Sequence, residues 1–111
     1  MAADDSASDD YCIVHTSIDT PERARALAHA LVEARLATCV QILPIHSVYR
    51  WEGRVCGESE QLLLIKTRSA CYAALSAFVH EHHPYTTPEL VRTPISGGAG
   101  AYLQWLDDQT R

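Results

Sequence analysis

No stretch of this sequence approaches the roughly 18 consecutive apolar residues that a membrane span needs. No run of lysine and arginine marks a strip for nucleic acid or anionic lipid, and a formal net charge of -5 carries the wrong sign for either. The sequence contains no G-x-x-x-x-G-K-[ST], no G-x-G-x-x-G, no H-E-x-x-H and no G-x-S-x-G, so the common phosphate, dinucleotide, metalloprotease and hydrolase signatures are missing. Gly97-Gly98-Ala99-Gly100 is too generic to read as a phosphate loop. None of the four cysteines, Cys12, Cys39, Cys56 and Cys71, belongs to a C-x-x-C pair, which excludes a zinc knuckle and a thioredoxin-like motif. The opening ten residues lack the apolar core of a secretory signal. The expected location is therefore the cytoplasm, with the thiols reduced.

What is present is the material of one soluble domain. The chain has 111 residues, 47% apolar and 21% charged, which suits one core and not two. Residues 1–10 hold four aspartates and little that can be buried, and read as a flexible acidic tail. The remainder, 11–111, reads as a single domain.

Tyr11 to Thr16 has the β-branched apolar run of a strand. Thr20-Pro21-Glu22 then supplies an N-cap, a proline at the first helical position and an acid at the positive end of the dipole. Ala24, Leu27, Ala28 and Leu31 repeat at helical spacing and predict a helix to about Leu36. Cys39 to Trp51 reads as a long strand, with Pro44 marking a bulge or an edge. Glu52-Gly53 predicts a turn. Leu62-Leu63-Leu64-Ile65, within Gln61 to Thr67, predicts a strand buried on both faces. A helix is expected from Ser69 to just before Pro84, a fourth strand over Glu89 to Thr93, and a short closing helix over Tyr102 to Gln109. This order gives an α+β, ferredoxin-like split βαβ sandwich with an extended β-hairpin and a short C-terminal helix.

Four segments, in order, resemble the CutA divalent-ion tolerance family. They are Ala37-Thr38-Cys39-Val40 with Pro44, Tyr49-Arg50-Trp51-Glu52-Gly53, His82-His83-Pro84-Tyr85-Thr86-Thr87-Pro88-Glu89, and Tyr102-Leu103-Gln104-Trp105-Leu106. The resemblance covers roughly residues 11–107. It implies a ferredoxin-like homotrimer, tolerance of copper and other divalent metals, and no established catalysis. The metal ligands that the family pattern implies fall on His15, His82 and His83. His15 departs from that pattern, which can carry a cysteine there, and Gly100-Ala101 departs from the polar or acidic residues common in the last loop.

The same residues have plainer readings. On a regular helix His80 and His83 share a face while His82 lies about 100° or more from each, so one ion can take all three only if the last turn unwinds. Histidines near a helix C-terminus are also favoured by the dipole alone. His15 shares a strand face with Ile13, and a lone histidine on an apolar face usually reads as a satisfied core or cleft residue. As ligands, three imidazoles suit Cu(II), Zn(II) or Ni(II), with affinity favouring copper. Cys39 reads as a small core residue. Tyr49 and Trp51 read as core or as interface anchors. A second class of function fits the same plan, a trimeric signalling module of nitrogen-regulatory type that takes a small ligand between subunits; only fold analogy supports it.

Overall fold

The computed structural model describes residues 10–111. The acidic segment expected over 1–10 lies outside them except for Asp10, whose carbonyl accepts the Ser69 N–H at 2.8 Å.

The chain runs β1 (Tyr11–Ile18), α1 (Pro21–Glu33), β2 (Cys39–Trp51), β3 (Arg54–Arg68), a 3₁₀ turn (Ser69–Cys71), α2 (Tyr72–His82), β4 (Val91–Pro94) and α3 (Gly100–Gln109). The strands form one antiparallel sheet in the order β2-β3-β1-β4. This is the expected ferredoxin-like plan.

Strand alternation sets the core. Cys12, Val14, Thr16 and Ile18 of β1 are buried, and the first three lie opposite Thr67, Ile65 and Leu63 of β3, which are buried too. Ala24, Leu27, Ala28 and Leu31 of α1 and Leu75 and Val79 of α2 pack on this face. The alternate face, with Ile13, His15, Leu62 and Leu64, is only half-buried within one chain.

Helix α1 starts where its cap predicts, with Thr20 Oγ1 accepting the Arg23 N–H. It ends at Glu33, three residues earlier than expected. Leu36 N–H returns to Leu31 O and Arg35 N–H to Val32 O, which is a Schellman closure with Arg35 at φ 58°. Glycine usually fills that position, so the sequence carries no stop signal there.

Strand β2 has the expected bounds, and Pro44 sits in register opposite Gln61 without a bulge. Its place on the sheet edge explains the tolerance, because an edge strand needs no donor on its outer side. Strand β3 is much longer than expected. Glu52 and Gly53, at φ 49° and 76°, form the two-residue turn of primed type, and β3 pairs with β2 from the first residue after it. Beyond Ile18↔Gln61, where β1 ends, the seven pairs from Ile45↔Glu60 to Trp51↔Arg54 form a two-stranded arm. Seven residues span about 23 Å.

Helix α3 is tied to the opposite end of the sheet. Thr38 Oγ1 donates to Leu106 O at 2.6 Å, Tyr11 Oη to Asp107 Oδ2 at 2.9 Å, and the Arg68 guanidinium to Thr110 O at 2.8 Å.

Candidate functional site

Where α2 ends, the two adjacent histidines part company. His82 is the last helical residue, and His83 is already extended, with φ -86° and ψ 137°. Pro84 forces this change by excluding the α conformation before it.

The imidazole of His82 stays on the surface, stacked on Phe78 at 4.0 Å between ring centroids. Its Nδ1 meets the Phe78 carbonyl at 2.8 Å and must therefore be the protonated nitrogen. Nε2 is left with a lone pair. His82 also borders a cleft of about 360 Å³ between α1 and the end of α2, with Ile18, Leu27 and Pro84 as its apolar lining and Arg23 at its rim. Arg23 is already paired with Asp19 at 3.0 Å.

His83 turns inward and is 8% exposed. The Tyr85 N–H donates to its Nδ1 at 3.1 Å, so Nε2 carries the proton and donates to Ser17 O at 2.8 Å. Both nitrogens of the neutral ring are thereby used. Ligation by His83 needs one of these bonds broken, at a cost of about 1–3 kcal/mol for the buried group left behind.

The Tyr85 ring meets His83 edge-on at 4.7 Å, and its hydroxyl donates to Glu60 Oε2 at 2.7 Å. Glu60 is 8% exposed and sits at the root of the arm, one residue past the end of β1. Among the described residues no cation pairs with it. The phenol of Tyr85 is held far above its ordinary range, first by burial, then by the bond to Glu60, then by the charges of Glu60, Asp19 and Glu58. Further out, Tyr49 donates to Glu58 and is pushed up to about 12, chiefly by that bond. The arm thus leaves the domain with two phenol–carboxylate pairs along it.

His15 lies on the half-open face of β1, with its Nε2 3.4 Å from Thr93 Oγ1, a long and weak contact. It is therefore on the face of β1 opposite the helices, away from His82. Among the described residues no group of three or more His, Cys, Asp or Glu side chains is placed to hold a metal ion. His15, His82 and His83 are thus not brought together within the described residues of one chain. Sequence reasoning missed Glu60 altogether and quoted Tyr85 without giving it a role. The available signal was the Glu58/Glu60 repeat on one face of a strand, obscured because the sequence reading began that strand at Gln61.

The comparisons with known proteins agree on one family. The sequence profile described as CutA1 divalent ion tolerance protein matches residues 12–109. The chain is 43% identical over 100 residues to "Protein CutA, chloroplastic" of Arabidopsis thaliana, covering 89% of this chain but 55% of that protein. It is 46% identical over 99 residues to "Divalent-cation tolerance protein CutA" of Thermus thermophilus, covering 88% of this chain and 96% of that one. The crystal structure of CutA1 from Oryza sativa superposes with a TM-score of 0.90 at 40% identity, over 95% of this chain and 97% of that one. With the family profile matching residues 12–109 and relatives 43% and 46% identical over nearly nine-tenths of its length, the chain belongs to the CutA1 divalent ion tolerance family.

Proposed function

We propose that this protein works in divalent-cation tolerance as a cytoplasmic homotrimer that takes up Cu(II) in preference to Zn(II) through His82, with His15 and His83 as further ligands. The observation that carries the metal reading is the free Nε2 of His82, an imidazole lone pair presented to solvent in a protein whose relatives carry the name divalent-cation tolerance protein. The cation is cargo in this reading, not a resident cofactor. Within one chain His15 does not converge with the other two, so a shared site draws ligands from more than one copy, or His82 binds with solvent in the remaining positions.

Assembly rests on separate grounds. Strand β2 is an unpaired edge of thirteen residues, and open edges invite pairing. The sheet face holding Leu62 and Leu64 has only partial cover in one chain. Cyclic closure satisfies both and stops growth. Symmetry does not select three copies; that number is the expectation drawn from the resemblance in sequence.

Titration calorimetry with Cu(II), Zn(II) and a nucleotide tests the binding. Copper is expected to bind more tightly than zinc, and to weaken below about pH 6 as imidazole protonates. His82→Ala is the clean variant, because its ring anchors nothing beyond its own helix. Copper affinity unchanged in His82→Ala removes the site. Nucleotide binding without metal binding favours the signalling module instead. A single-chain mass by light scattering removes the assembly.

A further inference from the structure

The cleft beside His82, about 360 Å³ in volume, is at the small end of the roughly 300–1,000 Å³ of small-molecule sites. Arg23, Ala26 and Leu27 line it from α1 as one stripe at i, i+3 and i+4. Ala26 leaves room that a longer side chain would take. Ile18, the last residue of β1, and Pro84 add apolar lining. The two helix ends that meet here have opposite polarity. Arg23 is in the first turn of α1, at the positive end of its dipole, and His82 is the last residue of α2, at the negative end of its dipole. One side of the cleft therefore favours an anionic group and the other a cation.

We infer that the cleft takes the cation as a chelate of a small apolar α-amino acid, and not as the bare ion. The inference rests on the reading of His82 as a copper ligand given above, and it names what fills the positions that His82 leaves. Cu(II) favours a tetragonal set of nitrogen and oxygen donors. One imidazole supplies a single donor, and among the described residues no group of three or more His, Cys, Asp or Glu side chains completes the set. An α-amino acid supplies its amine nitrogen and one carboxylate oxygen, closing a chelate ring on the metal. The lone pair of His82 Nε2 then replaces one metal-bound water. No proton moves in this step, because Nδ1 keeps its hydrogen on the Phe78 carbonyl. The second carboxylate oxygen is left to face the Arg23 guanidinium, which an exposed pair with Asp19 holds only weakly. The same Asp19 disfavours a free carboxylate, whereas a Cu(II) amino-acid chelate carries net positive charge. The amino-acid side chain occupies the apolar part of the cleft, against Ile18, Leu27 and Pro84. A charged side chain would be buried there without a partner.

The test is titration calorimetry of the full chain with Cu(II) given alone, as its one-to-one complex with glycine, or as its one-to-one complex with leucine. Glycine and leucine chelate through the same atoms and differ in the side chain. The leucine complex is expected to bind about tenfold more tightly than the glycine complex, the low end of what burying a leucine side chain supplies. Electron paramagnetic resonance is expected to show both the amine and the imidazole nitrogen on the bound copper. Ala26→Leu, an exposed change to a good helix former, fills the cleft and is expected to remove the preference for leucine while the glycine complex still binds. Equal affinity for the two complexes overturns the inference, as does copper that sheds its amino acid on binding, or leucine that binds equally well without copper. A preference for leucine that survives in Ala26→Leu overturns it too. Copper titrations that are all unchanged in His82→Ala remove the reading of His82 and this inference together. Copper binding that depends on His82 but is indifferent to the amino acid removes only this inference.

Discussion

Tyr85→Phe deletes one oxygen and isolates the buried acid at the root of the arm. The hydroxyl donates to Glu60 at 2.7 Å, and Glu60 is 8% exposed with no cation beside it among the described residues. A hydrogen bond to a charged group contributes about 1.5–3 kcal/mol, and a buried carboxylate that loses its donor keeps the desolvation penalty. Tyr85 is itself part-exposed, which favours the lower half of that range, so the expected loss is about 2 kcal/mol. For a domain of this size that lowers Tm by roughly 8 °C or more. The assay is thermal and urea unfolding of both proteins at one matched concentration, because assembly makes Tm concentration-dependent. The pH dependence adds a second reading. A phenol whose folded pKa is raised favours the fold fully below its unfolded value near 10, and loses that contribution as pH climbs through the folded value. From neutral pH upward, the gap between wild type and Tyr85→Phe should therefore be constant to about pH 10 and shrink above it. An unchanged midpoint, or a gap that widens at high pH, refutes the reasoning.

Thr16 is 0% exposed and its Oγ1 has no partner among the described residues. Thr16→Val keeps the shape and removes the orphan, and should stabilise by about 1 kcal/mol, read as a Tm rise of roughly 4–8 °C; a fall would reveal a partner for the hydroxyl. Asp107 is held below the usual carboxylate range by the Arg111 side chain first and by Tyr11 second. Its contribution is present above pH 4 and lost as pH falls through its folded value, so α3 amides should lose hydrogen-exchange protection in acid, and Asp107→Asn should show the loss at neutral pH as well. Tyr49→Phe should remove the phenol pushed up to about 12 from the alkaline absorbance curve while leaving Tm close to that of wild type, since the pair is solvent-exposed.

Much of the fold was legible because the residues that build it also signal it. Thr20-Pro21 fixed one helix start, Pro84 fixed one helix end, and the β-branched run of Cys39 to Trp51 gave the bounds of its strand. The misreadings fall where a signal and its cause are separated. Arg35 takes the left-handed position usually given to glycine, so nothing in Ala34-Arg35-Leu36 announces the end of α1. Residues Arg54 to Glu60 form a strand without an apolar alternation, because the arm has no core for one face to meet. The run Leu62 to Ile65 reads as buried on both faces, yet Leu62 and Leu64 are only half-buried in one chain.

The histidine pair makes the same point about function. By sequence His82 and His83 are neighbours of one type in one motif, and the resemblance implies the same role for both. The backbone change forced by Pro84 sends them to different environments. His82 uses one nitrogen on its own helix and offers the other to solvent, while His83 spends both on Ser17 and Tyr85. In so doing His83 fixes the backbone that carries the Tyr85 hydroxyl to Glu60, and so ties the end of α2 to the root of the arm. Substituting His83 must therefore loosen the arm whether or not a metal ever reaches it. A loss of copper binding in a His83 variant has two causes that binding data alone do not separate, whereas His82, whose ring bonds and stacks only within its own helix, gives a substitution that leaves the root of the arm in place.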